Sequence, residues 1–345
     1  MKMKKVLAVV MAGMMVLGLA ACGGSSAGTE QQNIQESAGE VTEEVTEELT
    51  EEATEEASQE AGGIALKVGV LMKTMSDTYS NKLGTTIESY MESDYPDSTL
   101  YLMDGQADIA KQISQAEDLI AKQVDVIVLN PQDADGSAQV LDLAAAAGIP
   151  VVEVNTETTR TDYAAFVGSE DIEAGEIMGR FVSKQLGGEG KIAILEGEMG
   201  QSAQIKRYEG LQNTILSEEG IECVATLSAN WSRSTAMSTT EDWLGKYQDL
   251  KAIICENDDM AMGALQACES QGREMIIIGT DGIPDALQAV KDGRLSASVL
   301  QDAKGQATAA IDVAVKVASG EEVESRYKVD FQLITIDNVD DFLTE

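Results

Sequence analysis

Nine side chains stand just past strand-like runs of this 345-residue chain: Asp77, Tyr79, Asn130, Asn155, Arg207, Trp231, Asn257, Asp281 and Gln301. They supply amide, carboxylate, guanidinium and aromatic groups. Planar amides and carboxylates donate to and accept from hydroxyls in fixed geometry, and a guanidinium adds a rigid fork of donors. Aromatic faces cover flat C–H surfaces. Together these groups orient a neutral, polyhydroxylated ligand. Any one of them alone reads as a cap or turn residue, but their recurrence after nearly every strand points to one shared cleft. The stretch AIICENDDMAMGAL, residues 252–265, shows the choice in miniature. A short isoleucine-rich run reads as a buried strand, four polar residues follow, and Met260, Met262, Ala264 and Leu265 begin a helical pattern. Asn257 is then either an ordinary helix cap or a group aimed into a cleft at the carboxyl end of a sheet.

Other chemistries are excluded or unsupported. The chain has no histidine, which removes Ser-His-Asp and Cys-His catalysis and every histidine-containing metal site. No segment forms a phosphate-binding glycine loop, and no residue set activates a nucleophile. Asp258 and Asp259 are adjacent carboxylates, but two acids at a helix start are expected to answer its dipole. No catalytic residue, cofactor or metal is therefore expected, and the chain reads as a non-enzyme. The net charge of −36 opposes nucleic-acid binding. Of the four cysteines, Cys223, Cys255 and Cys268 form no C-x-x-C pair and read as buried free thiols.

The elements that must position these side chains alternate. Strand-like runs fall at 67–72, 99–104, 124–130, 150–155 and 164–168, then at 191–197, 222–227, 250–257, 275–281 and 295–301, with helix-length segments between most of them. Alternating strand and helix means a parallel sheet with helices on both faces. Two such series predict an α/β protein of two similar doubly wound lobes. A last helix at 303–319 and a last strand at 332–337 follow.

The N-terminus is of another kind. Lys2, Lys4 and Lys5 precede an uncharged apolar run at 6–21, too short for a membrane span. Leu19-Ala20-Ala21-Cys22 then resembles a bacterial lipobox, which implies removal of residues 1–21 and lipid on Cys22. Residues 22–63 read as a disordered acidic tether. In its repeat Glu43, Glu47 and Glu51 fall four apart, where like charges oppose a helix.

Five motifs in combination carry a family resemblance: VIVLNPQDADG, IPVVEVN, ENDDMAMGAL, GTDGIPDAL and SVLQDAKGQA. With them, the chain from about Lys67 to Leu343 resembles the sugar-binding proteins of bacterial ABC importers, the ribose and galactose/glucose group. The resemblance implies the periplasmic binding protein-like I fold and a hinge crossed three times, near Ser169, Gln301 and Asp330. The N-terminal lobe would comprise 64–168 plus 302–330, and the C-terminal lobe 169–301 plus 331–345. It implies that Asp77 and Tyr79 supply an acid and a stacking aromatic, Asn130 an amide, Trp231 a second aromatic beside Arg207, and Asn257, Asp281 and Gln301 the second-lobe rim. Asn155-Thr156 stands where the ribose branch has Asp-Arg, and Asn155 is closer to the galactose branch. Gln201 and Ala203 stand where that branch has a His and an Asp, and its calcium loop is replaced by Gly187-Gly188-Glu189-Gly190.

The resulting expectation is a lipid-anchored, extracytoplasmic, monomeric receptor. It captures a neutral monosaccharide, a galactose- or glucose-like hexose first, and delivers it to an ABC permease. Ribose, a cyclitol, a furanosyl signal molecule, or a sensor role are the alternatives. A transcription regulator of this fold would carry a basic helix-turn-helix before the first lobe, where this chain has a lipobox-like signal and an acidic segment.

Overall fold

The computed structural model describes residues 65–343. The lipobox, Cys22 and the acidic repeat lie outside the described residues. The first sheet is built from β1 (Lys67–Met72), β2 (Thr99–Asp104), β3 (Val126–Leu129), β4 (Val151–Val154) and β5 (Ala165–Gly168). Helices α1 (Thr78–Asp94), α2 (Ile109–Ala121) and α3 (Ala138–Ala147) connect the first four. The second sheet follows with β6 (Gly190–Glu196), β7 (Ile221–Ser228), β8 (Leu250–Cys255), β9 (Ile276–Asp281) and β10 (Ala297–Leu300). Its helices are α4 (Asp171–Leu186), α5 (Ser202–Gln212), α6 (Arg233–Lys246), α7 (Asp258–Ser270) and α8 (Pro284–Lys291). Last come α9 (Ala303–Ala318), β11 (Arg326–Lys328) and β12 (Gln332–Ile334).

The two sheets repeat one topology, β2-β1-β3-β4-β5-β11 and β7-β6-β8-β9-β10-β12. Every neighbouring pair is parallel except β10 with β12. Strands covered on both faces need apolar residues at every position. VIVL of β3 and VVEV of β4 are buried throughout. The acid within β4, Glu153, is accommodated because Thr158 donates to it from both its backbone N–H and its hydroxyl. Burial nevertheless pushes the Glu153 carboxyl up to about 7. Helices start where an acid or amide accepts the third N–H of the helix: Asp77 from Ser80, Asp108 from Lys111, Asn257 from Met260 and Asp302 from Gly305.

The chain passes between the sheets after β5, after β10 and after β11. Helix α9 packs on β3, β4, β5 and α1, and β11 pairs with β5, so both belong with the first sheet. β11 has no apolar run and is only three residues long, which is why periodicity does not reveal it. The cysteine expectation needs correction. Cys255 and Cys268 are buried free thiols, but Cys223 is exposed. It lies on β7, the outermost strand of its sheet, where covering is incomplete.

Candidate ligand-binding site

In each sheet the strand order reverses at one point, between β1 and β3 and between β6 and β8. Connections leave in opposite directions there, so a crevice opens at the strands' carboxyl ends. Lys73 and Asn130 follow β1 and β3; Gly197 and Glu256 follow β6 and β8. The two crevices meet. Lys73 Nζ of the first lobe donates to Gln201 Oε1 of the second at 3.1 Å. Gln132 Nε2 donates to Glu198 Oε2 at 2.9 Å, and Thr78 Oγ1 to Asp259 Oδ2 at 2.8 Å. Beside them the Ala134 N–H donates to the Gly200 carbonyl at 3.0 Å, and Glu157 N–H to Ser202 Oγ at 2.8 Å. Lys206 also pairs with Glu157 across the gap.

At the base of the meeting point lies an inner cavity walled by Lys73, Asp77, Tyr79, Ser80, Asn155, Ala203, Arg207, Trp231, Asn257, Asp281 and Gln301. Arg207 is its best-anchored member. Its Nε donates to Asp171 Oδ1 at 2.9 Å, Nη1 to the Glu256 carbonyl at 2.5 Å and Nη2 to Gln301 Oε1 at 3.1 Å. Asp171 reaches it because α4 and α5 almost touch: a Cβ on Gly175 would fall 2.0 Å from the Arg207 carbonyl oxygen. Burial pushes the Asp171 carboxyl up, and Arg207 pulls it back. Burial opposes the Arg207 charge too, but Asp171 and Asp281 outweigh it and the guanidinium stays protonated.

Three groups in this wall are left short of partners: Ser80 Oγ, the Asp281 carboxylate and Gln301 Nε2. The Asp281 carboxylate makes no side-chain hydrogen bond among the described residues although the residue is buried. Burial drives its carboxyl well above the usual range, Arg207 counters this, and Asp258 and Asp77 add to it. The Gln301 Nε2 is buried with no acceptor, since Oε1 is taken by Arg207. Lys73 is not among them, since its Nζ donates to Gln201; burial lowers its ammonium, with Asp77 opposing the shift. Native interiors satisfy most buried polar groups, so three unmet groups on one wall mark a place where something else supplies the bonds.

Trp231 divides the inner cavity from a wider recess. Its Nε1 donates to Gln201 Oε1 at 3.0 Å. Its six-membered ring lies against Gly197, where a Cβ would sit 2.0 Å away. Lys73 Nζ is 5.7 Å and the Arg207 guanidinium 5.8 Å from the indole centroid, both within cation–π range. The inner cavity leaves about 20 Å³ for the centre of a water-sized sphere, room for about one water molecule. The outer recess leaves about 560 Å³ by the same measure.

Eight of the nine side chains singled out in the sequence line the inner cavity; Asn130 does not. Asn130 is fully buried one layer behind, where its amide donates to the Val154 carbonyl, Asn155 Oδ1 and Thr156 Oγ1 while its oxygen accepts from the Lys73 N–H. It holds Asn155 and the Lys73 backbone in place rather than facing the space. Tyr79 faces the cavity but sends its hydroxyl to Gln306 Oε1 at 3.0 Å, and Asn155 Nδ2 uses the same acceptor at 3.2 Å. Asn257 both caps α7 through Oδ1 and lines the cavity. The dipole role expected of Asp258 is incomplete. It is fully buried and accepts from the Gly282 and Ile283 N–H groups and Ser298 Oγ, which braces the turn after β9 and hence Asp281. Asp259 bonds Arg233 and, across the cleft, Thr78.

The residues that sequence reasoning did not assign are Lys73, Gln201, Asp171, Gln306 and Glu256. Lys73 and Gln201 lie inside segments that follow strands, which was the available signal. Asp171 and Gln306 sit on helices α4 and α9, and only the packing brings them to Arg207 and Tyr79. Glu256 is buried, accepts the Gly197 N–H at 2.7 Å, and burial drives its carboxyl far up.

Known proteins resemble this chain over most of its length. Residues 68–322 match the periplasmic binding protein domain. A putative rhizopine-binding protein of Rhizobium meliloti is 36% identical over 284 residues, covering 80% of this chain and 92% of that protein. The ribose import binding protein of Bacillus subtilis is 31% identical over 268 residues, covering 78% and 87%. A Bacillus halodurans ABC transporter solute-binding protein, solved with bound myo-inositol, superposes with a TM-score of 0.78 at 35% identity, covering 82% of this chain and 99% of that one.

Proposed function

The chain belongs to the periplasmic binding protein family, and from that premise we propose that it captures a neutral six-membered polyol ring between its lobes. That class holds both the galactose- or glucose-like hexoses and the cyclitols. The observation that carries the reading is the unmet wall of the inner cavity: Gln301 Nε2 without an acceptor, Ser80 Oγ without a partner, and a buried Asp281 with no side-chain hydrogen bond among the described residues, beside an Arg207 that is bonded to Gln301 Oε1. A ring hydroxyl donates and accepts at once, so a row of hydroxyls answers both needs. Asp77, Tyr79, Asn155, Trp231 and Asn257 complete the proposed site, and Asn130 supports it from behind. A solved relative with bound myo-inositol, a six-membered polyol, is 35% identical to this chain, against 34% for a xylitol-binding relative and 31% for a ribose-binding one, which supports a polyol and puts a cyclitol among the first candidates.

Lodging such a ring requires the inner walls to part, because they leave room for about one water. Lys73 is the side chain that moves. Its bond to Gln201 gives way as the lobes open, the N-terminal lobe turning against the C-terminal lobe about the three crossings. The ring then takes the place beside Trp231, and Tyr79 covers its other face. The loaded receptor, anchored through lipid on Cys22 outside the cytoplasm and working as a monomer, hands its cargo to an ABC permease. Calorimetry of the full chain against hexoses, pentoses and cyclitols tests this. One six-membered polyol must bind, and Arg207→Ala must remove the heat while Thr85→Ala, on the exposed face of α1, must not. A panel in which no member binds overturns the proposal.

A further inference from the structure

The outer recess adjoins the inner cavity. Lys73, Asp77 and Trp231 line both. Beyond them the recess is walled by both lobes, and Thr78 and Asp259 tie the lobes together within its wall. Its surface is mixed as a sugar surface requires. Trp231 and Met237 offer apolar area, while Arg233, Ser232, Asn230 and Gln266 offer donors and acceptors. Arg233 is held in place by Asp259 and Asp285, so its fork is fixed before anything enters. At about 560 Å³ the recess falls within the range of small-molecule sites.

A second observation marks the same place. Asn230 and Trp231 are consecutive residues with φ of 51° and 59°. Two adjacent non-glycine residues in the left-handed region are costly, and such strain persists where the surroundings hold it for a purpose. Here the strained turn between β7 and α6 swings the indole out to stand between the two spaces. The Ser228 hydroxyl secures that turn by donating to Asn230 Oδ1 at 2.9 Å and accepting from the Asn230 N–H at 3.2 Å. An indole serving only the inner cavity would need no built, two-lobed space on its outer side.

We propose that the recess is a second subsite, and that the ligand is an O-linked glycoside whose first ring enters the inner cavity and whose second ring rests on the outer face of Trp231. This deepens the polyol reading and rests on it. The link between the rings passes Asp77 and Lys73, the polar residues shared by both spaces. The second ring meets Met237 and Trp231 on its C–H face and Arg233, Ser232 and Gln266 at its rim.

The test is calorimetry of the full chain with galactose and myo-inositol as single rings, and with galactinol, melibiose and methyl β-galactoside as O-linked partners. Two variants fill the recess from exposed positions outside the inner site, Ser234→Trp and Gln266→Tyr. The expected result is that a two-ring ligand binds at least tenfold more tightly than its single ring. Each filling variant should cancel that gain and leave the affinity for the single ring unchanged. Binding of a single ring with loss of affinity on adding the second overturns the subsite and spares the polyol reading. Tighter two-ring binding that both filling variants leave intact overturns the subsite too, since the second ring then lies elsewhere. No binding by any of the five overturns the subsite, and failure of the wider hexose, pentose and cyclitol panel as well overturns the polyol reading with it. Circular dichroism and thermal melts of the two variants establish that the heats come from folded protein.

Discussion

Replacing Asp281 with asparagine should move stability and affinity in opposite directions. The carboxylate is buried, accepts no side-chain hydrogen bond among the described residues, and is driven well above its usual pKa by burial, with Arg207 opposing. A carboxyl whose folded pKa is raised adds stability below its unfolded pKa near 4 and loses it as pH rises through the folded value. As pH rises above the unfolded value Asp281 therefore weighs against the folded state, and Asp281→Asn removes that cost while keeping size. The melting temperature of the ligand-free variant should equal or exceed that of the parent at pH 8, with the difference shrinking toward pH 4. Binding should suffer. Hydrogen bonds to a charged group contribute about 1.5–3 kcal/mol each. Losing one such bond lowers affinity roughly ten- to a hundredfold, and acidification should weaken the parent's binding in the same sense as the carboxylate protonates. Thermal melts across pH paired with calorimetry read both quantities. A variant that melts lower at pH 8 and binds at full strength would show that Asp281 serves the fold and not the ligand.

Ligand addition should change tryptophan fluorescence through Trp231 alone, because Trp243 is packed in the core of the second lobe; persistence of the change in Trp231→Phe would place its source elsewhere. Glu153→Gln should raise the melting temperature at pH 8 and leave it unchanged at pH 4, since the native carboxyl titrates near 7 and its stabilising neutral form is lost as pH rises; an equal shift at both pH values would mean that packing, not charge, decides. Small-angle scattering should show a different radius of gyration for the chain saturated with its polyol, because the inner walls part to lodge the ring, and identical curves would argue against hinge motion. Cys22→Ser should move the protein from the membrane fraction to the medium and change its mature mass; an unchanged distribution would contradict the lipid anchor.

The α/β class, the two lobes and most strand positions were legible because both-face burial writes itself into sequence as apolar runs. VIVL and KVGVLM need no tertiary information to be recognised. Cavity-lining residues were legible for a related reason: in a parallel sheet the strand end is also the crevice, so position along the chain predicts position in space. That rule points to Asp281, Asn257 and Trp231, which line one cavity in the structure. It failed for Asn130, which also follows a strand but is drawn inward by Asn155 and Thr156. Whether a polar group past a strand faces the cavity or the layer behind depends on its neighbours' unmet hydrogen bonds, and those neighbours come from other strands.

Long-range packing decided the rest. Asp171 is bonded to Arg207 because two helices touch through Gly175 and Gly210, a contact that no local pattern encodes. Gln306 serves Tyr79 and Asn155 because α9 returns to the first lobe after a whole second lobe has intervened. Trp231 was legible as an aromatic in a polar turn, but its standing between two spaces follows from the strained backbone of Asn230-Trp231 and from Gly197 beneath it. Local sequence thus determined which groups were available at the strand ends. The three-dimensional arrangement decided which of them were left with unmet bonds, because a buried hydrogen bond is satisfied or not by whatever the fold brings within about 3 Å.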